Sequence, residues 1–181
     1  EFAYRDAAVS HVKNGVYGEM WVAAMLAAAL ATDDLGTVLA AGLAEIPARS
    51  RLAEAVRDTI EASRRHRTWE QAWDELMGRY GHYHGVHTIN NAVVVLLGLL
   101  YGEGDLGRTI AVAVMGGFDT DCNGATAGSI AGAMLGARRL PARWIEPLSD
   151  RVTSIVAGYY DNRISDLARR TLAVARQVWG A

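Results

Sequence analysis

In the stretch "MGGFDTDCNGATAGSIAGAMLGA", residues 115–137, two aspartates stand two positions apart just ahead of a helical run. Asp119 and Asp121 share a face only if the backbone between them is extended; on a helix they point about 200° apart. Gly116 and Gly117 supply unusual dihedrals just before them, and Asn123 or Asp121 itself is a good N-cap for the helix that follows. The expected arrangement is a turn entering a helix N-terminus, with both carboxylates projecting into one pocket. Two like charges held close repel unless a cation or a proton sits between them. Oxygen-only ligands favour a hard ion, Mg²⁺, Mn²⁺ or Ca²⁺. The competing reading makes both residues turn and capping groups, because Asp-x-Asp is a weak signal by itself.

Behind the aspartates, Gly124, Gly128, Gly132 and Gly136 recur at every fourth position, flanked by Ala127 and Ala131. A glycine inside a helix costs up to about 1 kcal/mol relative to alanine, so close packing has to offset it. A stripe without side chains lets neighbouring backbones approach. The expectation is a helix at the centre of a bundle, carrying a rigid site on its N-terminal end.

The remaining candidates are histidines and buried amides. His82, His84 and His87 in "GHYHGVH" invite a zinc reading, but no cysteine or acidic partner lies near them in the sequence, so a solvated loop is expected. Asn90 and Asn91 fall inside an apolar helix and need partners. They are expected to hold neighbouring backbone or the Asp119 loop. Trp21, Trp69, Trp73, Trp144 and Tyr101 read as core or near-core packing.

The elements that must position these groups are helical nearly throughout. "YGEMWVAAMLAAALAT" reads as one helix, and Asp33 and Asp34 start the next. Ser50 caps "RLAEAVRDTIEASRRH" and Thr68 caps "WEQAWDELMGRY". "HTINNAVVVLLGLLYG" is apolar almost all round and reads as a central, buried helix. "GDLGRTIAVAVMGG" precedes the glycine-rich helix, Pro141 and Pro147 punctuate a loop, and "ISDLARRTLAVARQVW" follows. No period-two run of useful length is visible, so the fold class is all-α, a compact multi-helix orthogonal bundle.

Composition narrows the function classes. The 181 residues carry a net charge of −2, which offers no basic face for nucleic acid. The locally basic stretch 49–67 alternates its charges with acids, as on a solvated helix face. Cys122 is the single cysteine, which makes a reducing, cytoplasmic setting the default. The apolar run Ala92–Tyr101 is about half the length of a membrane span. The sequence starts "EFAYRDAAV", without methionine and already reading as mid-helix, the pattern of a fragment.

The string "GGFDTDCNGATAGSIAGAMLGA" closely resembles the C-terminal metal motif of the ADP-ribosylhydrolases (the ADP-ribosylglycohydrolase and J1-crystallin family). That motif typically reads Gly-Gly-Asp-Thr-Asp-Thr, or Gly-Trp-Asp-Thr-Asp-Cys-Asn in a bacterial branch. "DAAVSHVKNGVYGEMWVAAM", "HTINNAVVVLLGLLYGEGDLGRTIAVAVMGG", "IPARSRLAEAV" and "LARRTL" resemble the same branch in the expected order. The resemblance implies an all-α fold with two Mg²⁺ ions in a central cleft, Mn²⁺ being the substitute. It implies hydrolysis of the N- or O-glycosidic bond at the anomeric carbon of ADP-ribose, carried on a protein or on a small molecule. Asp119 and Asp121 would be metal ligands, and Cys122 stands where many members have a ligand threonine. A thiol on Mg²⁺ is a soft–hard mismatch, so a water or a backbone group is expected in place of that hydroxyl.

The resemblance also places His11 beside the distal ribose, with Asn14, Tyr17 and Gly18 in a loop bordering the pocket. Gly117 and Phe118 complete the substrate-contacting set, Phe118 as a surface for a ligand base. The plainer reading has His11 bonding a helix terminus. Family members are usually longer, and their N-terminal half brings a second aspartate cluster, a mobile glutamate and a diphosphate-holding loop. Residues 1–181 are thus expected to form a single all-α domain, the C-terminal part of a longer one. The acid/base residue would lie in an N-terminal half from the same or another chain, since two-metal chemistry needs both clusters. The alternative is a non-catalytic structural or ligand-binding member, as the crystallin relatives suggest.

Overall fold

In the computed structural model, which describes residues Glu1–Gly180, helices dominate and the strands are two short ones. The fold is all-α. Contacts divide the chain into two compact units, residues 1–139 and the segment from Leu140 on.

The first unit holds α1 (Phe2–Ala7), α2 (Asn14–Ala29), α3 (Leu35–Ala44), α4 (Arg51–Arg65), α5 (Trp69–Tyr80), α6 (Thr88–Tyr101), α7 (Leu106–Met115) and α8 (Thr120–Leu135). Side-chain caps set several of the starts: Ser50 Oγ accepts from the Ala53 amide, and Thr68 Oγ1 from that of Gln71. Each satisfies an amide that the first turn leaves without an intrahelical partner. Eleven of the fourteen residues of α6 are buried, because α6 packs against α2, α4, α5, α7 and α8. It feeds two apolar clusters. Leu96 joins Trp21, Met25, Leu52, Val56 and Ile130 in one. Ile89, Val93 and Leu97 join Leu76, Tyr80 and Val112 in the other.

The glycine-rich helix is not the central one. It is α8, which buries Asn123, Gly124, Ala127 and Ile130 while Asp121, Cys122, Ala125 and Ser129 are exposed. The centre belongs to α6, and α8 lays one face on it. Two of the four ladder glycines serve close approach to α7: a Cβ at Gly124 would lie 3.0 Å from Val114 Cγ2, and one at Gly128 3.2 Å from Ile110. Gly136 instead ends the helix, with φ of 69°.

The second unit begins with α9 (Ala142–Ile145) and a single 3-10 turn at Glu146–Leu148. An antiparallel pair follows, β1 (Arg151–Thr153) on β2 (Asp161–Arg163), with Val152 opposite Asn162. Three-residue strands with mostly exposed side chains have no alternation to detect, which is why no strand is expected from the sequence. α10 (Ile164–Trp179) follows directly. The Asp150 carboxylate accepts from the Ser165 amide at 2.8 Å and from its hydroxyl at 2.7 Å, closing the first turn of α10 from fifteen positions away. Trp144 is 40 % exposed, against the core placement that its type suggests.

Candidate metal and substrate site

Asp119 is the residue before the first turn of α8, and Asp121 lies inside that turn. The sequence points to Asn123 or Asp121 as the N-cap; the structure puts Asp119 there and Asn123 one turn further in, nearly fully buried. The reason is the backbone before Asp119: Gly117 and Phe118 both take left-handed conformations, φ 84° and 61°. They bring the chain into the helix two residues earlier than an Asp121 cap would. With only Asp119 outside the helix, Asp119, Asp121 and Cys122 each offer a ligand atom, and the three atoms lie within 4.8 Å of one another. Among the described residues this is the one such group of three or more.

Asp119 does not cap α8 with its side chain. Instead it lies beside Cys122 and Asp121, and the adjoining Asp119 carboxylate first, then partial desolvation and the charges of Asp119 and Asp121, raise the Cys122 thiol above its ordinary pKa. A thiol is a soft donor, ill matched to a hard divalent cation. The two carboxylates fit a hard divalent cation, and the thiol does not.

Asn91 of α6 ties this loop to the preceding one. Its Oδ1 accepts from the Asp119 amide at 3.1 Å and from Asn123 Nδ2 at 2.7 Å, and its Nδ2 donates to the carbonyls of Gly85 and His87, both at 2.9 Å. Asn90 is turned elsewhere, its Nδ2 reaching the His84 carbonyl at 3.1 Å. Of the two amides expected to hold backbone, both do, and Asn91 is the one at the Asp119 loop.

The histidines form no metal cluster among the described residues. Tyr83 stacks against His87 with ring centroids 4.4 Å apart and lies 4.2 Å from His82. His87 Nδ1 accepts from the Ile89 amide and so caps α6. Burial holds its pKa below the ordinary histidine value, aided by the positive charge of Arg51 and by His82 and His84. A neutral ring is what an accepting Nδ1 requires.

The residues assigned to substrate contact take the following places. His11 is exposed, between α1 and α2, with Nδ1 2.8 Å from Ser10 Oγ. Asn14 Oδ1 accepts from the Leu52 amide at the start of α4. Tyr17 is half-buried and packs on the Trp21 cluster. Gly18 is buried where a Cβ would come 2.4 Å from Thr88 Cγ2, so α2 crosses the start of α6 closely there. Gly117 and Phe118 are the left-handed pair that leads into Asp119. Thus the N-terminal turn of α2 meets those of α4 and α6, and α6 in turn holds the entry to α8. A cavity of about 430 Å³ lies elsewhere, near the C-terminal ends of α6 and α8, lined by Leu99, Leu100, Met134 and Leu135 with Asp33 and Arg139 at its rim; none of the assigned residues lines it.

Residues 1–181 match the family model described as ADP-ribosylglycohydrolase. This chain belongs to the ADP-ribosylglycohydrolase family. No curated protein and no solved structure matches. The family match spans both units, so the segment after Arg139 is part of the family's sequence pattern as much as the Asp119 loop. Two features of the loop escape a reading of residue types: Trp73 Nε1 donates to the Gly116 carbonyl at 3.0 Å, and Asn123 Nδ2 points back to the Gly117 carbonyl at 3.3 Å. A tryptophan 43 positions away carries no signal that it will find that carbonyl.

Proposed function

We propose that this chain provides one metal-holding half of an ADP-ribosylglycohydrolase site, which cleaves the glycosidic bond at the anomeric carbon of an ADP-ribosylated protein or small molecule. The observation that carries the reading is the Asp119–Asp121 pair: two carboxylates converge beside a helix start, and the one placed to cap that helix leaves its amides alone. When bound, two Mg²⁺ ions (or Mn²⁺) supply the positive charge that steadies the ribose hydroxyls and favours loss of a proton from water.

The chain's own residues then have distinct tasks. Asp119 and Asp121 hold a cation, and Cys122, a soft donor beside them, leaves the remaining position to a water or a backbone group. Gly117 leaves the loop free of a side chain beside the cation, and Phe118 offers a ring to the base or ribose of the ligand. His11, Asn14, Tyr17 and Gly18 border the pocket from α2. A second acidic cluster and the acid/base group come from a further segment, in this chain or another. The lone cysteine suits a reducing compartment such as the cytoplasm, and among the described residues no helix is long and apolar enough to cross a membrane.

Thermal unfolding with and without Mg²⁺ and ADP-ribose tests the reading. Binding to the folded state alone raises the midpoint, so Mg²⁺ and ADP-ribose together are expected to raise it in the wild type and not in Asp119→Ala. No shift with either, in the chain combined with the segment that supplies the second cluster, would sink the enzyme reading. Ligand binding that survives Asp119→Ala would instead favour a non-catalytic binding protein of the same fold.

A further inference from the structure

Three of the four residues from Gly116 to Asp119 are gripped by side chains from three helices. Trp73 of α5 donates from Nε1 to the Gly116 carbonyl at 3.0 Å, Asn123 of α8 donates to the Gly117 carbonyl at 3.3 Å, and Asn91 of α6 accepts from the Asp119 amide at 3.1 Å. The two asparagines are joined to each other at 2.7 Å. Asn91 cannot turn over without loss: its Nδ2 already serves the Gly85 and His87 carbonyls, so its oxygen must face the Asp119 amide. Gly116 presses on α6 so tightly that a Cβ there would come 2.7 Å from Val94 Cγ1.

The gripped segment also holds a conformation that it would not choose. Phe118 sits at φ 61°, where a bulky side chain is disfavoured and persists only when its surroundings over-determine it. A link between α7 and α8 could be made with ordinary turn residues. This one is fixed carbonyl by carbonyl immediately before the carboxylate that the cation needs.

We infer that Trp73, Asn91 and Asn123 are positioning residues that place the Asp119 carboxylate in its ligating position before any cation arrives, an inference that rests on the metal-holding role of Asp119 and Asp121. A loop that sampled other conformations would lower the apparent affinity by the fraction of time spent in the competent one. Fixing it in the free protein removes that loss.

Trp73→Phe removes one N–H and keeps the aromatic ring; Asn123→Ala removes the second grip. Val38→Ala, at a buried position of α3 and away from the loop, is the control for general destabilisation. In the full chain, Mn²⁺ affinity is read by electron paramagnetic resonance at a temperature where circular dichroism shows every variant folded. Amide exchange of residues 116–119 is followed in the metal-free protein. Trp73→Phe and Asn123→Ala are expected to weaken Mn²⁺ about tenfold or more and to speed exchange in the loop. Val38→Ala is expected to lower the melting temperature and leave both readings unchanged. Trp73→Phe carries the test alone if Asn123→Ala does not fold.

Wild-type Mn²⁺ affinity in Trp73→Phe, or equal weakening by Val38→Ala, overturns the positioning role while leaving the metal reading intact. A wild-type protein that takes up no Mn²⁺, its loop amides still protected, overturns the metal reading and the positioning role with it.

Discussion

Asp34, Asp105 and Asp119 occupy the same position, the residue before the first turn, of α3, α7 and α8. Asp34 accepts from the Thr37 amide at 2.8 Å and from its hydroxyl at 2.5 Å; Asp105 accepts from the Arg108 amide at 2.7 Å. The Asp119 carboxylate accepts from no amide of its own helix. Residue type and position are identical, so the cause lies outside the side chain. Asp34 and Asp105 have ψ of 108° and 119°, whereas Asp119 has ψ of 73° after two left-handed residues, with its amide taken by Asn91. Capping costs a carboxylate its freedom to bind anything else. The loop before α8 preserves that freedom.

The sharpest break of this contrast would come from removing the carboxylates. Asp119→Ala and Asp121→Ala are each expected to abolish the Mg²⁺-dependent thermal shift, while metal-free stability stays within about 0.5 kcal/mol of wild type. A metal-free loss as large as that of a cap variant would make Asp119 an ordinary structural residue. Next in size, Asp105→Ala is expected to cost about 1 kcal/mol in urea unfolding and to leave Mn²⁺ affinity, measured calorimetrically, unchanged.

Acid sharpens the comparison further. The Asp34 carboxyl is held below its ordinary pKa by hydrogen bonds from the Thr37 hydroxyl first and then the Thr37 amide. Its folded pKa is thus below its unfolded one, near 4, so its contribution is present above that pH and fades as pH falls through the folded value. The gap in urea midpoint between wild type and Asp34→Ala is expected to narrow from pH 6 towards pH 2. A constant gap would show that the cap does not depend on charge. The smallest effect belongs to the glycine stripe. At Gly128 an alanine Cβ would meet only the Ile110 side chain, at 3.2 Å, and the helix gains up to about 1 kcal/mol of propensity. Gly128→Ala is expected to be near neutral in melting temperature and silent in Mn²⁺ binding.

The helices were legible because their signals are local. Apolar spacing and the Ser50 and Thr68 caps act within a few residues, and the unbroken apolar run of α6 could be satisfied only by enclosure on all sides. The glycine stripe misled on centrality, since small residues report a close neighbour without saying how many neighbours there are. The Asp119–Asp121 pair was legible as chemistry, but not its geometry: the N-cap position depends on left-handed Phe118, and nothing in a phenylalanine advertises that conformation. The grips from Trp73 and Asn91 span 43 and 28 positions and exist only once α5, α6 and α8 have packed.

Cys122 has a practical consequence. It is the one thiol in the chain, it is exposed, and it lies beside both aspartates, so maleimide chemistry on the unaltered sequence delivers a single fluorophore or spin probe to the site itself. Because the adjoining Asp119 carboxylate raises the thiol above its ordinary pKa, attachment will be slow near neutral pH. The rate of that attachment becomes a gauge of whatever draws the Asp119 oxygens away.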